Sequence, residues 1–340
     1  KIFQYAKEYQ PMRRANVEHV GAQGIIKDAV NELSGKDRKM APGIARGVRP
    51  PSGIKKEDRL ESLLCPIVNR GKLFLKKNKP NIIIIAAGMV GGIQDNIKEP
   101  AKYLNVNLKI QNNIIFSNNL ESTHTVIYFG SSCIYPKNIK KKIREEDMLN
   151  GKPEETSLAY ATAKLCGIQS CLSLNKQLGI KKFIPIIPCT VFGPNDNYEL
   201  NSGHVISDLI NKFQIAKDQG AKEISLWGTG KPKREFIFSE ILAEAILFIL
   251  KNKDKVTSLP LNIGNNKEYS IKKLANIIKK ITSFSGKLLW DTTKPDGARR
   301  KLLDSSKINY LGWEDESDFI NCLQKTYDFY LKEIKNKKSL

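Results

Sequence analysis

Thr125–Gly130 reads TVIYFG and runs straight into Ser131-Ser132. Six mainly β-branched and aromatic residues without polar alternation predict a strand covered on both faces, as in a parallel sheet. The small and polar residues after it predict an abrupt exit from that sheet. Upstream, Ile82–Ala87 (IIIIAA) is another unbroken apolar run, and downstream Phe183–Ile187 (FIPII) is a third, closing on Pro188 and Cys189. Between these runs, Pro100–Asn118 and Ser157–Leu178 read as helices. Strand, helix, strand, helix, strand is the order of βαβ units. The expected class is α/β, a Rossmann-like parallel sheet with helices on both faces.

Beyond about Gly193 the rhythm changes. Helices are predicted at Val205–Ala216, Ser239–Leu250, Ser270–Thr282 and Glu316–Lys332, and strands at Glu223–Trp227, Pro260–Gly264 and Lys287–Trp290. The sequence therefore divides into three parts. Residues 1–75 are an atypical basic segment whose Lys36–Arg59 stretch is rich in Pro and Gly and lacks a hydrophobic period. Residues 76–195 form the Rossmann-like core. Residues 196–335 form a smaller mixed lobe, partly interleaved with that core, before a lysine-rich tail.

The chain has 340 residues, 41% hydrophobic and 27% charged, which is enough to build a core. No apolar run approaches the roughly 20 residues needed to cross a bilayer. The chain opens on Lys1 rather than Met, as a fragment or processed form would, and no apolar leader is seen. Six cysteines (65, 133, 166, 171, 189, 322) form no CxxC pair, so a reducing, cytoplasmic compartment is expected. Three scattered histidines (19, 124, 204) argue against a metal site. The net charge of +21 fits either a general excess of lysine or an anionic partner. No basic stripe interleaved with aromatics suggests nucleic acid.

The chemistry centres on Tyr160-Ala-Thr-Ala-Lys164. On a helix these two residues share a face. A lysine ammonium beside a tyrosine favours the tyrosinate, so such a tyrosine can exchange a proton with a hydroxyl or ketone. Ser131, at the carboxyl end of a predicted parallel strand, stands where open α/β sheets bind ligands and can reach the same oxygen. Taken alone, Tyr and Lys at this spacing also occur by chance, the serines also fit a simple turn, and Cys133 also fits a small core residue.

Gly130–Pro136 (GSSCIYP), Tyr160–Lys164, Val191–Asn197 (VFGPNDN), His204–Ile206, Trp227–Gly230 (WGTG), Arg234–Phe236 (REF) and Arg300–Asp304 (RKLLD) together resemble the GDP-L-fucose synthases, which are extended short-chain dehydrogenases/reductases. Ala86–Ile93 is similar to the segment after that family's fourth strand, and the likeness spans residues 72–335. The resemblance implies a cytoplasmic enzyme that uses NADPH to convert GDP-4-keto-6-deoxy-D-mannose to GDP-L-fucose. Carbons C3 and C5 are epimerised, then the C4 ketone is reduced. It implies Cys133 as base and His204 as acid, with Ser131, Tyr160 and Lys164 holding and protonating the C4 oxygen. It further implies a cofactor site of Ala86, Ala87, Gly88, Tyr160, Lys164, Pro188 and Val191. Lys212, Trp227 and Arg234 would contact the sugar nucleotide and Lys301 its diphosphate. Lys212 stands where the family often has Arg, and Cys189-Thr190 where it commonly has Thr-Asn. A homodimer through the Tyr–Lys helix is implied, with a GDP-sugar as partner and neither nucleic acid nor membrane.

One expected motif is missing. A strand followed by GxxGxxG, which lets a pyrophosphate approach a helix N-terminus, should open the fold. The nearest match is Gly21-Ala22-Gln23-Gly24-Ile25-Ile26-Lys27, which offers Gly21 and Gly24 and puts Lys27 in the third glycine's place. Either the segment is replaced, for example by a shifted reading frame, or it has diverged and still binds NADP, or cofactor binding is lost. The alternatives are therefore an impaired sugar-nucleotide-binding homologue, or another NAD(P)-dependent nucleotide-sugar epimerase or dehydratase.

Overall fold

The computed structural model describes residues 75–338 apart from 76, 119, 199–202 and 295. Gly21, Gly24 and the Lys36–Arg59 stretch lie outside the described residues. In chain order the elements are β1 (Ile82–Ile85), α1 (Ile93–Lys98), α2 (Pro100–Ile115), β2 (Thr125–Phe129), α3 (Leu158–Leu178), β3 (Phe183–Pro188), β4 (Thr190–Phe192), α4 (Val205–Asp218) and β5 (Glu223–Trp227). They continue with β6 (Lys233–Phe238), α5 (Ser239–Lys251), β7 (Leu261–Ile263), β8 (Glu268–Ser270), α6 (Ile271–Thr282), β9 (Lys287–Asp291), β10 (Arg300–Lys301), α7 (Ser306–Tyr310) and α8 (Phe319–Lys338).

The main sheet has the order β1-β2-β3-β7, and every neighbouring pair is parallel. All of its strands therefore end on the same edge. β2 and β3 are buried almost throughout, as their unbroken apolar runs require. β1 departs from that expectation. Its isoleucines alternate between half-buried and buried, because among the described residues β1 is an edge strand. Pro100 opens α2 at a position where a missing N–H costs nothing. Gly179, at φ 63°, closes α3 in the left-handed conformation, and Ile180 N donates to Asn175 O at 3.0 Å.

Two hydrophobic cores result. The first is mainly aliphatic, with Val126, Ile127, Ile168, Ile186, Ile187 and Leu261 around the parallel sheet. The second is aromatic, with Phe192, Phe213, Phe236, Phe238, Phe284 and Phe319. It lies among α4, α6, α8 and the small sheet in which β6 pairs with β4, β10 and β8. The chain passes between the cores with little slack. Only Cys189 separates β3 from β4, and nothing separates β6 from α5. Leu242, Ala245 and Ile246 of α5, Leu261 and Ile263 of β7, and Ile308 of α7 all return to the first core. β4 and β6 were read only as motifs in the sequence, because strands of three and six residues carry too little periodicity to stand out.

Candidate active site

The shared carboxyl edge of the parallel sheet positions the chemistry. It brings the residues after β1 (Ala86, Ala87, Gly88), those after β2 (Gly130, Ser131) and the end of β3 (Pro188) to one side of the sheet. Ala86 and Ala87 are exposed there and Gly88 is buried. Ser131 has extended backbone and accepts a hydrogen bond from Cys133 N at 3.3 Å, which folds Ser132–Ile134 into one tight turn. That turn sets Cys133 against the cluster of Met89, Tyr103, Val106 and Tyr160.

Tyr160 and Lys164 stand one turn apart on α3, and both are buried. Lys164 Nζ donates to Phe129 O at 3.0 Å and lies 5.9 Å from the Tyr160 ring centre. Burial pulls the Lys164 ammonium down to a pKa of about 8, so it is still charged at neutral pH but held in a dry setting. Gly88 lies close beside it. A Cβ there would come within 3.2 Å of Lys164 Nζ and 3.1 Å of Asn107 Oδ1.

Three braces that the sequence reading missed hold this centre. Asn107 Oδ1 accepts from Met89 N at 2.9 Å and Asn107 Nδ2 donates to Met89 O at 3.0 Å, which fixes the loop after β1. Gln111 Nε2 donates to Ala163 O at 2.9 Å, and the Tyr128 hydroxyl donates to Gln111 Oε1 at 2.7 Å. These two tie α3 to α2 and β2 at Ala163, within a turn of Tyr160. Glu154, also buried, takes Lys301 Nζ at 3.6 Å. A polar residue on the apolar face of α2, at Tyr103, Val106 and Ile110 spacing, was the available signal for Asn107.

Lys301 is the clearest refinement. Its Nζ contacts Cys133 Sγ at 3.8 Å, so its present partners are the thiol and Glu154. Arg234 is held by Ala298 O at 2.6 Å and Lys233 O at 2.8 Å. Burial pulls its pKa down, and the charges of Glu154, Cys133 and Asp296 oppose that pull. Ser131, Cys133, Tyr160, Lys164, Arg234 and Lys301 thus gather around the ends of β1 and β2.

The remaining predicted residues lie on other elements. His204 caps α4 on the second lobe, with Nδ1 3.2 Å from Asp196 Oδ1. Lys212 lies farther along α4, paired with Asp208 at 3.0 Å. Trp227, at the end of β5, is 47% exposed, with Lys294 Nζ 5.7 Å from its ring centre. Val191, on β4, packs partly against the first core.

A parallel sheet that presents Ser, Tyr and Lys around small residues at its carboxyl edge defines a Rossmann-type oxidoreductase or epimerase site. Comparison with known proteins narrows this. Residues 30–264 match the model of the "NAD dependent epimerase/dehydratase family". GDP-L-fucose synthase 1 of Arabidopsis thaliana is 42% identical over 265 residues, 78% of this chain and 81% of the relative. A GDP-6-OMe-4-keto-L-xylo-heptose reductase from C. jejuni superposes with a TM-score of 0.76 at 26% identity, covering 92% of this chain and 95% of that one. A GDP-L-fucose synthetase from Naegleria fowleri bound to NADP gives a TM-score of 0.70 at 25% identity, covering 79% and 82%. The chain belongs to the NAD-dependent epimerase/dehydratase family, in its GDP-L-fucose synthase branch.

Proposed function

We propose that this chain is an NADPH-dependent epimerase-reductase that converts GDP-4-keto-6-deoxy-D-mannose to GDP-L-fucose. The observation that carries the reading is the joint placement of two sets of groups. Tyr160 and Lys164 form a proton donor for an oxygen, and Cys133, touched by Lys301, forms a proton acceptor for carbon. A plain dehydrogenase needs only the first set. The synthases among the relatives and the NADP-bound neighbour support the same substrate and cofactor.

The described residues fit the nicotinamide half of NADPH. Gly88 leaves space beside Lys164 that a side chain would crowd, and Ala86 and Ala87 are small and exposed beside it. With Tyr160, Lys164, Pro188 and Val191 they would hold that half. NADPH, when bound, supplies the hydride for C4.

The protein's own groups do the rest. Cys133 accepts a proton from the carbon beside the ketone, and the enolate oxygen is held by Ser131 and Tyr160. His204 returns a proton to carbon from the opposite face. After both centres are inverted, Tyr160 gives its proton to the C4 oxygen while Lys164 steadies the charge left behind. Arg234 and Lys212 suit phosphate oxygens and Trp227 offers a flat apolar surface to the base. Lys301 reaches the diphosphate from its place beside Cys133.

The setting we infer is reducing and cytoplasmic, where Cys133 stays unoxidised, with a homodimer formed through the Tyr160–Lys164 helix α3. Among the described residues, no helix is long and apolar enough to cross a membrane. Purified protein mixed with GDP-4-keto-6-deoxy-D-mannose and NADPH should consume NADPH absorbance and yield GDP-L-fucose by chromatography. Binding of the GDP-sugar without NADPH consumption would overturn the reductase reading.

A further inference from the structure

Asp196 lies in the loop between β4 and α4, where Asn195 adopts φ 64°, a left-handed turn that Asn tolerates. The next side chain is turned inward, and that of Asp196 is 1% exposed. Burying a carboxylate is costly unless its oxygens are matched by donors. Oδ1 is matched, by Asn197 N at 2.8 Å and by His204 Nδ1 at 3.2 Å. Oδ2 is buried with no hydrogen-bond partner among the described residues. A residue selected only to close this loop would not leave a carboxylate oxygen bare. Asparagine or an apolar side chain would do that more cheaply.

The main chain of His204 is already fixed. Its carbonyl accepts from Asp208 N at 2.8 Å and from the Ser207 hydroxyl at 2.9 Å. Gly203 before it is packed so closely that a Cβ would strike Asn197 O and lie 3.1 Å from Ser207 Oγ. What the main chain leaves undetermined is the rotation of the imidazole and which nitrogen carries the proton.

We propose that Asp196 is the positioning residue of the carbon acid His204; this rests on the epimerase reading above. Nδ1–H donates to the carboxylate in both protonation states of the ring. Nε2 is then the nitrogen whose proton is transferred. As the enolate carbon takes that proton, the new C–H bond forms and the N–H bond breaks. The imidazolium becomes neutral imidazole, still held through Nδ1–H, and Nε2 is reloaded from solvent. The carboxylate balances the cationic ring before transfer and keeps the tautomer correct after it.

Asp196→Asn tests this by separating two half-reactions. Solvent deuterium incorporation at C3 and C5 of GDP-4-keto-6-deoxy-D-mannose should fall by about 100-fold. Oxidation of GDP-L-fucose by NADP+, which inverts no centre, should hold within about twofold. Asp196→Glu should recover part of the lost exchange. Nitrogen NMR of the histidine-labelled chain without substrate, with His204 assigned by comparison with His204→Asn, should find the neutral ring protonated on Nδ1. It should find the proton moved to Nε2 in Asp196→Asn. Equal loss in both half-reactions would mark a merely structural residue and overturn the proposal, as would an Nε2–H tautomer in the unmodified protein. A protein that turns over neither sugar would sink the functional reading, while the tautomer measurement would still decide the part played by Asp196.

Discussion

The two ends of the proposed site are built in opposite ways. Ser131, Tyr160 and Lys164 are placed by main chain, on the end of a buried parallel strand and one face of a long helix, with Lys164 bonded to Phe129 O. His204 stands at the start of α4 after a loop, with the Asp196 carboxylate 3.2 Å from Nδ1 among the described residues. The first arrangement takes its frame from the sheet and helix, with buried side-chain braces around it. The second depends on individual contacts.

The largest test of this division is Cys133→Ser. It removes the thiol and leaves Tyr160 and Lys164 untouched. Carbon-bound proton exchange should fall by about 10³-fold, while oxidation of GDP-L-fucose by NADP+ keeps most of its rate. A parallel fall in both would show that the two ends are not separable. The cores can be compared next. Phe236 is fully buried, with its ring centre 6.4 Å from that of Phe192 and 6.0 Å from that of Phe319. Phe236→Ala should cost about 3–5 kcal/mol, read as a lower unfolding midpoint.

Gly167→Ala probes the other core with a smaller change. A Cβ there would run into the Tyr128 hydroxyl and come within 2.8 Å of Gln111 Oε1. Overpacking of this kind costs about 1–3 kcal/mol. Because the Tyr128–Gln111 brace holds α3 at Ala163, within a turn of Tyr160, kcat for the reduction should drop as well. An unchanged kcat would mean that the brace does not set the position of Tyr160.

The gentlest test changes no residue and reads the pH dependence of stability. Glu235 is buried at the junction of the cores, accepting from Leu303 N at 2.9 Å and Asn266 N at 2.7 Å. Burial pushes its pKa up to about 7 from an ordinary 4.5, so between these values the folded chain holds a proton that the unfolded chain has lost. Its contribution is complete below pH 4.5 and is lost as pH rises through about 7. Urea unfolding should therefore show stability falling across that window, by on the order of 1 kcal/mol per pH unit, and the slope should flatten in Glu235→Gln.

What was legible in the sequence follows the same division. Ser131, Tyr160 and Lys164 could be singled out because strand ends and helical spacing are periodic and local, whereas Cys133 entered only through the family resemblance. Trp227 and Lys212 were found as types in motifs, yet their neighbours were not. Lys301 meets Cys133 across 168 positions, and Asn107 braces Met89 across 18, on contacts that no local period encodes. Glu154 was passed over because a glutamate before a helix reads as solvated. Asp196 stood in a quoted motif, but its value lies in being buried, and burial of a loop residue is decided by the fold around it.

A chain that changes sheets across the single residue Cys189, and enters α5 from β6 with no residue between, cannot let its two cores melt apart. Cys189 N is itself bonded to Ile263 O at 2.9 Å, so even the crossing is tied to the first sheet. Loss of either core tears strands from the other. A substitution that loosens the aromatic lobe is therefore expected to act mainly on the number of folded copies, through strands that the two cores share.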